Sequence, residues 1–144
     1  MINRLFDTSA MNILTKALSA SGLTHQVIAN NLANVDTPGF KHSEVLFQSK
    51  LAAALADQAA SGDGLEGART DPRHLAIGVP ADPSEVSPEV VVRAETTLRP
   101  DGNNVDLDSE MVKLSENTLM YQALTQLVRG KFSQLRNVIT EGRK

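Results

Sequence analysis

The chain has 144 residues, enough for one domain with its own core, and a formal net charge of −3 from 17 acidic and 14 basic side chains. That balance leaves no basic footprint for nucleic acid and no polybasic anchor for a membrane. Cysteine is absent, which excludes disulfides, thiolate metal sites and cysteine nucleophiles, and aromatics are only 3%, so the core must be built mostly from Leu, Val, Ile, Ala and Met.

The opening Met1-Ile2-Asn3-Arg4-Leu5-Phe6-Asp7 lacks the apolar run and small-residue cleavage site of a signal peptide, so export by a cleavable signal is not expected. Residues 8 to about 34 read as a helix of roughly 40 Å. Met11, Leu14, Leu18, Ser21, His25, Ile28, Leu32 and Val35 recur at alternating steps of three and four, the spacing of a heptad seam. Thr8 or Ser9 is the expected cap. Lys16 is the only charged side chain between Thr8 and Val35. A helix facing water normally carries Lys, Glu and Arg on that face; Ser, Thr, Asn, Gln and Ala here predict a helix with neighbours on most sides. The same polar residues interrupt the stretch too often for a membrane span.

Asn34-Val35-Asp36-Thr37-Pro38-Gly39-Phe40 is a stop. Pro38 cannot continue a helix, and Pro38-Gly39 fits the two central positions of a type II turn. Asn34 is placed at the left-handed position after the helix, and Asn30, Asn31 and Asn34 are expected to hydrogen-bond the backbone of that turn or of an adjacent subunit. Residues 43–60 read as a second helix. Residues 56–100 change character, with five of the six prolines and the run Ser61-Gly62-Asp63-Gly64. They are expected to form a flexible insert in which only Glu89-Val90-Val91-Val92-Arg93 looks like a strand, with a short β-hairpin conceivable.

A long C-terminal helix is predicted from near Asp108, capped by Asp106 or Asp108. Its seam is Met111, Leu114, Thr118, Tyr121, Thr125, Val128, Phe132, Leu135 and Ile139. Leu119, Met120, Leu124 and Leu127 widen the apolar stripe, which suggests more than one packing partner. Charge is polarised along it: residues 101–116 hold five acids against Lys113, and residues 129–144 hold five bases against Glu141. Either this complements the helix dipole, or it draws stacked subunits together head to tail.

No enzyme chemistry emerges. His25, His42 and His74 have no paired-ligand spacing; His25 reads as a packing residue on the seam, and His42 and His74 as polar surface. Phosphate-binding, dinucleotide-binding and nucleophile-elbow motifs are missing. No catalytic, cofactor or metal site is therefore predicted. The run from Asp101 to Glu110 does not fit a calcium loop, because Gly102 stands second and Val112 twelfth where Gly is needed sixth and Glu twelfth. The fold class expected is mainly α, with the two long terminal helices pairing as an antiparallel coiled coil or helical hairpin. The organisation expected is residues 1–55, an insert at 56–100, and residues 101–144.

Ala29-Asn30-Asn31-Leu32-Ala33-Asn34-Val35-Asp36-Thr37-Pro38-Gly39-Phe40-Lys41 resembles the N-terminal signature of the flagellar rod and hook axial proteins. Asp101-Gly102-Asn103-Asn104-Val105-Asp106-Leu107-Asp108-Ser109-Glu110 and Thr70-Asp71-Pro72-Arg73-His74-Leu75 are similar to a member from the proximal rod. The resemblance implies a structural subunit that transmits torque from the membrane-ring motor to the hook and lies in the periplasmic part of the basal body. Its implied partners are copies of itself, other rod proteins, adaptor proteins at the rod base, and the flagellar type III export apparatus. Phe47-Gln48-Ser49-Lys50-Leu51 matches the short export element of such substrates, and equally reads as one turn of an amphipathic helix. Another rod protein of the same family and a generic helical-hairpin adaptor are the alternatives.

Overall fold

The structure, a computed structural model, describes residues 8–60, 82–94 and 99–141. Five elements follow in chain order: helix α1 (Thr8–Ala33), strand β1 (Ser43–Leu46), helix α2 (Gln48–Ala60), strand β2 (Glu89–Val92) and helix α3 (Leu107–Glu141). Two of the helices dominate, with α1 spanning 26 residues and α3 spanning 35.

α1 and α3 pack antiparallel. The Ser21 hydroxyl donates to Asn117 Oδ1 (2.8 Å), while ten residues later Asn31 Nδ2 donates back to Glu110 Oε2 (2.9 Å), so one helix ascends as the other descends. Thirteen residues back from Ser21 and thirteen on from Asn117 bring Thr8 alongside Gly130. The last eleven residues of α3 therefore run past the first described residue of α1, a projection of roughly 16 Å.

α1 stops where the sequence predicted, but by a different route. The Asn34 N–H is shared between the Asn30 and Asn31 carbonyls at 3.2 Å each, and Val35 donates to Leu32 at 3.3 Å, so the last turn tightens. Asn34 is not left-handed as expected, for positive φ among the described residues occurs only at Gly39 (73°) and Gly102 (79°). The Pro38-Gly39 turn does form, closed by Phe40 N–H to Thr37 O at 3.3 Å.

The helix predicted over 43–60 is divided. Ser43–Leu46 is a strand and α2 begins at Gln48. The strand pairs antiparallel with β2, Ser43 opposite Val92 and Leu46 opposite Glu89. β2 thus finds its partner before the insert rather than in a local hairpin. Val45 and Leu46 suit either element, and the hydrogen-bonding edge that settles the choice comes from more than forty residues away, beyond the reach of any periodicity. Exposed ion pairs Lys50–Glu89 and Arg93–Glu44 flank the sheet. At the start of α3 the cap is Asp106, whose Oδ1 accepts the Asp108 N–H at 3.1 Å.

Among the described residues the apolar core is small: Ala20, Ile28, Phe47, Ala54 and Val105. It is matched by buried polar residues, Ser21, Asn31, Asn103, Asn104 and Glu110. The inward faces accordingly depart from the predicted seams. On α1 Ser21 and Ile28 are buried as the seam predicts, Met11, Leu14, Leu18 and Leu32 are half-buried, as is Val35 just past the helix end, and His25 is exposed rather than packed; Ala20 and Asn31 also lie inside. On α3 the inward positions are Glu110, Leu114, Asn117, Leu124, Thr125, Val128 and Leu135. Met111, Tyr121, Phe132 and Ile139 remain 49, 44, 59 and 69% exposed. A count of apolar spacings passes over Glu110 and Asn117, the two polar positions that face α1.

Candidate functional site

Among the described residues the two bulkiest fully buried side chains are both asparagines, Asn31 and Asn103. Each ties the N-terminal half of the chain to the C-terminal half. Burial of an amide is tolerable only where its donors and acceptor all find partners, and here they do.

Asn103 sits in the loop that leads into α3 and reaches under the end of α1. Its Nδ2 lies 3.0, 3.0 and 2.9 Å from the carbonyls of Asn34, Val35 and Thr37, and its Oδ1 accepts the Val105 N–H at 2.7 Å. Three carbonyls of the turn that follows α1 are thus held by a side chain 66 to 69 residues further on. Arg99 adds positive charge at the same negative helix end, donating to Val35 O at 3.1 Å and pairing with Asp36 and Asp101 at 3.4 and 3.3 Å.

The backbones interlock beside it. Gly39 N–H donates to Asp101 O at 2.9 Å, and Lys41 Nζ donates to Gly102 O at 2.7 Å. Gly102 is needed for its positive φ rather than for space, because an added Cβ would meet Gly39 Cα at an ordinary 3.7 Å. One residue on, Asn104 Oδ1 accepts the His42 N–H (2.7 Å) and Nδ2 donates to Arg93 O (2.5 Å), which pins both strands at their open end. His42, expected as polar surface, is half-buried with its Nδ1 enclosed.

Asn31 forms the second tie. Its amide makes a two-way bridge to Ser43, donating to the carbonyl (2.8 Å) and accepting from the N–H (2.9 Å), and the remaining N–H goes to Glu110. Glu110 is 2% exposed, and its other oxygen accepts from Lys113 Nζ at 2.7 Å, so the buried carboxylate is satisfied at both ends. Asn117 closes a third two-way bridge with Ser21.

The asparagines singled out from sequence therefore divide. Asn31 is central, although it binds β1 and α3 rather than the turn. Asn34 bonds back to Asn30 O (2.9 Å) and accepts from Thr37 (3.2 Å), and Asn30 is exposed. The turn itself is held by Asn103, which sequence reasoning quoted as part of a motif without giving it a role. Pro38 and Gly39 lie exposed on the turn and Phe40 is half-buried. Phe47 is buried and Leu51 half-buried, joined by the first helical hydrogen bond of α2 (Leu51 N–H to Phe47 O, 2.9 Å). His74 and the 70–75 segment lie outside the described residues.

A family described as "Flagella basal body rod protein" matches residues 11–41, which are α1 and the turn that Asn103 caps. The flagellar basal body rod protein FlgB of Bacillus subtilis is 39% identical over 139 residues, covering 96% of this chain and 98% of that protein. FlgB of Borrelia hermsii is 34% identical, with 94% and 98% covered, and FlgB of Borreliella burgdorferi is 33% identical, with 85% and 89% covered. These likenesses run through both halves of the clamp as well as the helices, and the chain belongs to the FlgB family of flagellar basal body rod proteins.

Proposed function

We propose that this chain is a structural subunit of the proximal rod that carries torque from the membrane-ring motor toward the hook, acting by packing and not by turnover. The observation that supports it is the character of the helix surfaces. Thr15, Thr24, Ser115, Thr118, Thr125 and Thr140 each turn the hydroxyl back onto a carbonyl of the preceding turn, at 2.8 to 3.0 Å. Such side chains need little from water and present their non-polar atoms outward. Among them α3 exposes Val112, Leu119, Leu127, Phe132 and Ile139, each by more than half. A surface of that kind is stabilised by covering it with other subunits.

In this reading the clamp is the mechanical element. A subunit under torsion must resist sliding of α1 along α3, and three two-way or multiple polar ties resist it in a direction-specific way that apolar contacts do not. The assembled neighbours are copies of the chain and other rod components, with adaptor proteins at the rod base. The chain reaches the periplasmic space through the type III export apparatus. It travels unfolded, since Phe47 and Leu51 can be read by that apparatus only before they enter the core.

The test is incorporation. Leu32→Asp puts a charge on the α1 face and is expected to leave export intact while removing the chain from purified basal bodies. Basal bodies that contain Leu32→Asp chains at the wild-type level contradict the packing role. Cryo-EM of wild-type basal bodies that finds the chain anywhere but beside the membrane ring contradicts the proximal placement.

A further inference from the structure

An open cleft of about 770 Å³ lies between α1, α3 and the β1–α2 segment. Its walls are apolar, including Ala20, Val27, Phe47, Leu51, Met120 and Leu124. Among the described residues its charged lining is Glu44, Glu110, Glu116 and Lys113, and Glu44 pairs with Arg93 beside it. Lys113 is already held by Glu110, whereas Glu116 has no ion pair or hydrogen bond through its side chain among the described residues.

The far end of α3 has the complementary character. The projection beyond α1 carries Phe132, Val138 and Ile139, which are 59, 47 and 69% exposed. Lys131 and Arg136 lie on the same projection and Arg129 just before it, and none of the three makes an ion pair among the described residues. The helix dipole does not account for this charge, because its influence fades within the last turn and Arg129 and Lys131 lie ten or more residues before Glu141.

We propose that the cleft receives the basic, apolar end of α3 from a second copy of this chain. The proposal rests on the reading of the chain as a rod subunit and names how one copy engages the next. Cleft and projection are different patches, so the contact is heterologous and propagates head to tail into a ring or helix instead of closing as a symmetric pair. The apolar side chains of the projection fill the cleft, and Glu116, the carboxylate of the lining left without a partner among the described residues, meets Arg129, Lys131 or Arg136.

The absence of cysteine makes a direct test available. Met120→Cys lies in the cleft and Val138→Cys on the projection, 18 residues apart on one helix, or roughly 27 Å. A disulfide needs α-carbons within about 7 Å, so a bridge inside one rigid chain is excluded. Full-length chain carrying both substitutions, oxidised in basal bodies, is expected to give a ladder of dimers and higher multimers, with each single substitution giving none. Glu116→Lys should cut the ladder about fivefold and Lys131→Glu in the same chain should restore it. The proposal is overturned if basal bodies hold the doubly substituted chain without a ladder. It is equally overturned if Val138→Cys alone dimerises, or if Val138→Cys bridges a cysteine at Leu5 of its own chain. Should the double variant fail to enter basal bodies, the same oxidation at high protein concentration in solution decides, and no ladder there overturns it. Wild-type chain missing from basal bodies would instead sink the rod reading.

Discussion

Replacing Asn103 by Ala tests the clamp most sharply. The side chain is fully buried, and truncation leaves the Thr37 carbonyl and the Val105 N–H without a partner, while the Asn34 and Val35 carbonyls lose one donor each and keep the Thr37 N–H and Arg99. An amide has two N–H groups and one carbonyl, so the loss is equivalent to about three hydrogen bonds, not four. At ~1–3 kcal/mol for each buried partner left unsatisfied, and with some water entering the vacated space, the expected loss is about 3–5 kcal/mol. That is a large share of the ~5–15 kcal/mol typical of a folded domain. In urea, with a slope of ~1.5 kcal/mol/M, the unfolding midpoint read by circular dichroism should fall by about 2–3 M. Asn103→Asp keeps the shape but turns acceptor atoms toward three carbonyls, and it should be at least as damaging above the carboxyl pKa. An Asn103→Ala midpoint within about 0.5 M of the wild type refutes the assignment of the clamp as the main tie between the chain's two halves.

Three further outcomes follow from the same geometry. Glu110→Leu should cost about 3 kcal/mol by stranding one Asn31 N–H, and Asn31→Leu more, because it strands both Ser43 backbone groups as well as the buried carboxylate; the double substitution should cost clearly less than the sum, and a thermodynamic cycle in urea showing simple additivity contradicts the coupling. Gly39→Val and Gly102→Ala both force side chains into positive φ and should lower stability by roughly 1–2 kcal/mol in thermal melts, with Gly39→Val the worse because of its β-branching. The Lys50 ammonium beside Glu89 holds its carboxyl below the ordinary glutamate value. The folded state therefore gains from this pair above the unfolded pKa and loses that gain as pH falls through the folded one; NMR titration of Glu89 should return to the ordinary value in Lys50→Ala.

Much of the fold is legible in the amino-acid order. Alternating steps of three and four from Met11 to Val35, and again from Met111 to Ile139, point to two long helices, because side chains recurring near the helical period share one face. Pro38 and Gly39 end the first helix because one lacks a donor and fixes φ while the other tolerates a left-handed backbone. The scarcity of charge on α1 marks a helix meant to be surrounded. All of these are local signals, carried by residues within a few turns of one another.

The tertiary structure alone decided which helix face turns inward. The inner stripe of α3 includes Glu110 and Asn117, polar residues that are favourable inside only because Asn31 and Ser21 stand opposite with matching donors and acceptors. It also decided that Ser43–Leu46 is a strand, by supplying Glu89–Val92 as its hydrogen-bonding edge, and that Asn103 holds the turn after a helix that ended almost seventy residues earlier. Burying a polar atom costs free energy until its partner arrives. A chain therefore reveals where its backbone will coil, but which polar groups can afford to leave water is settled only when distant segments meet.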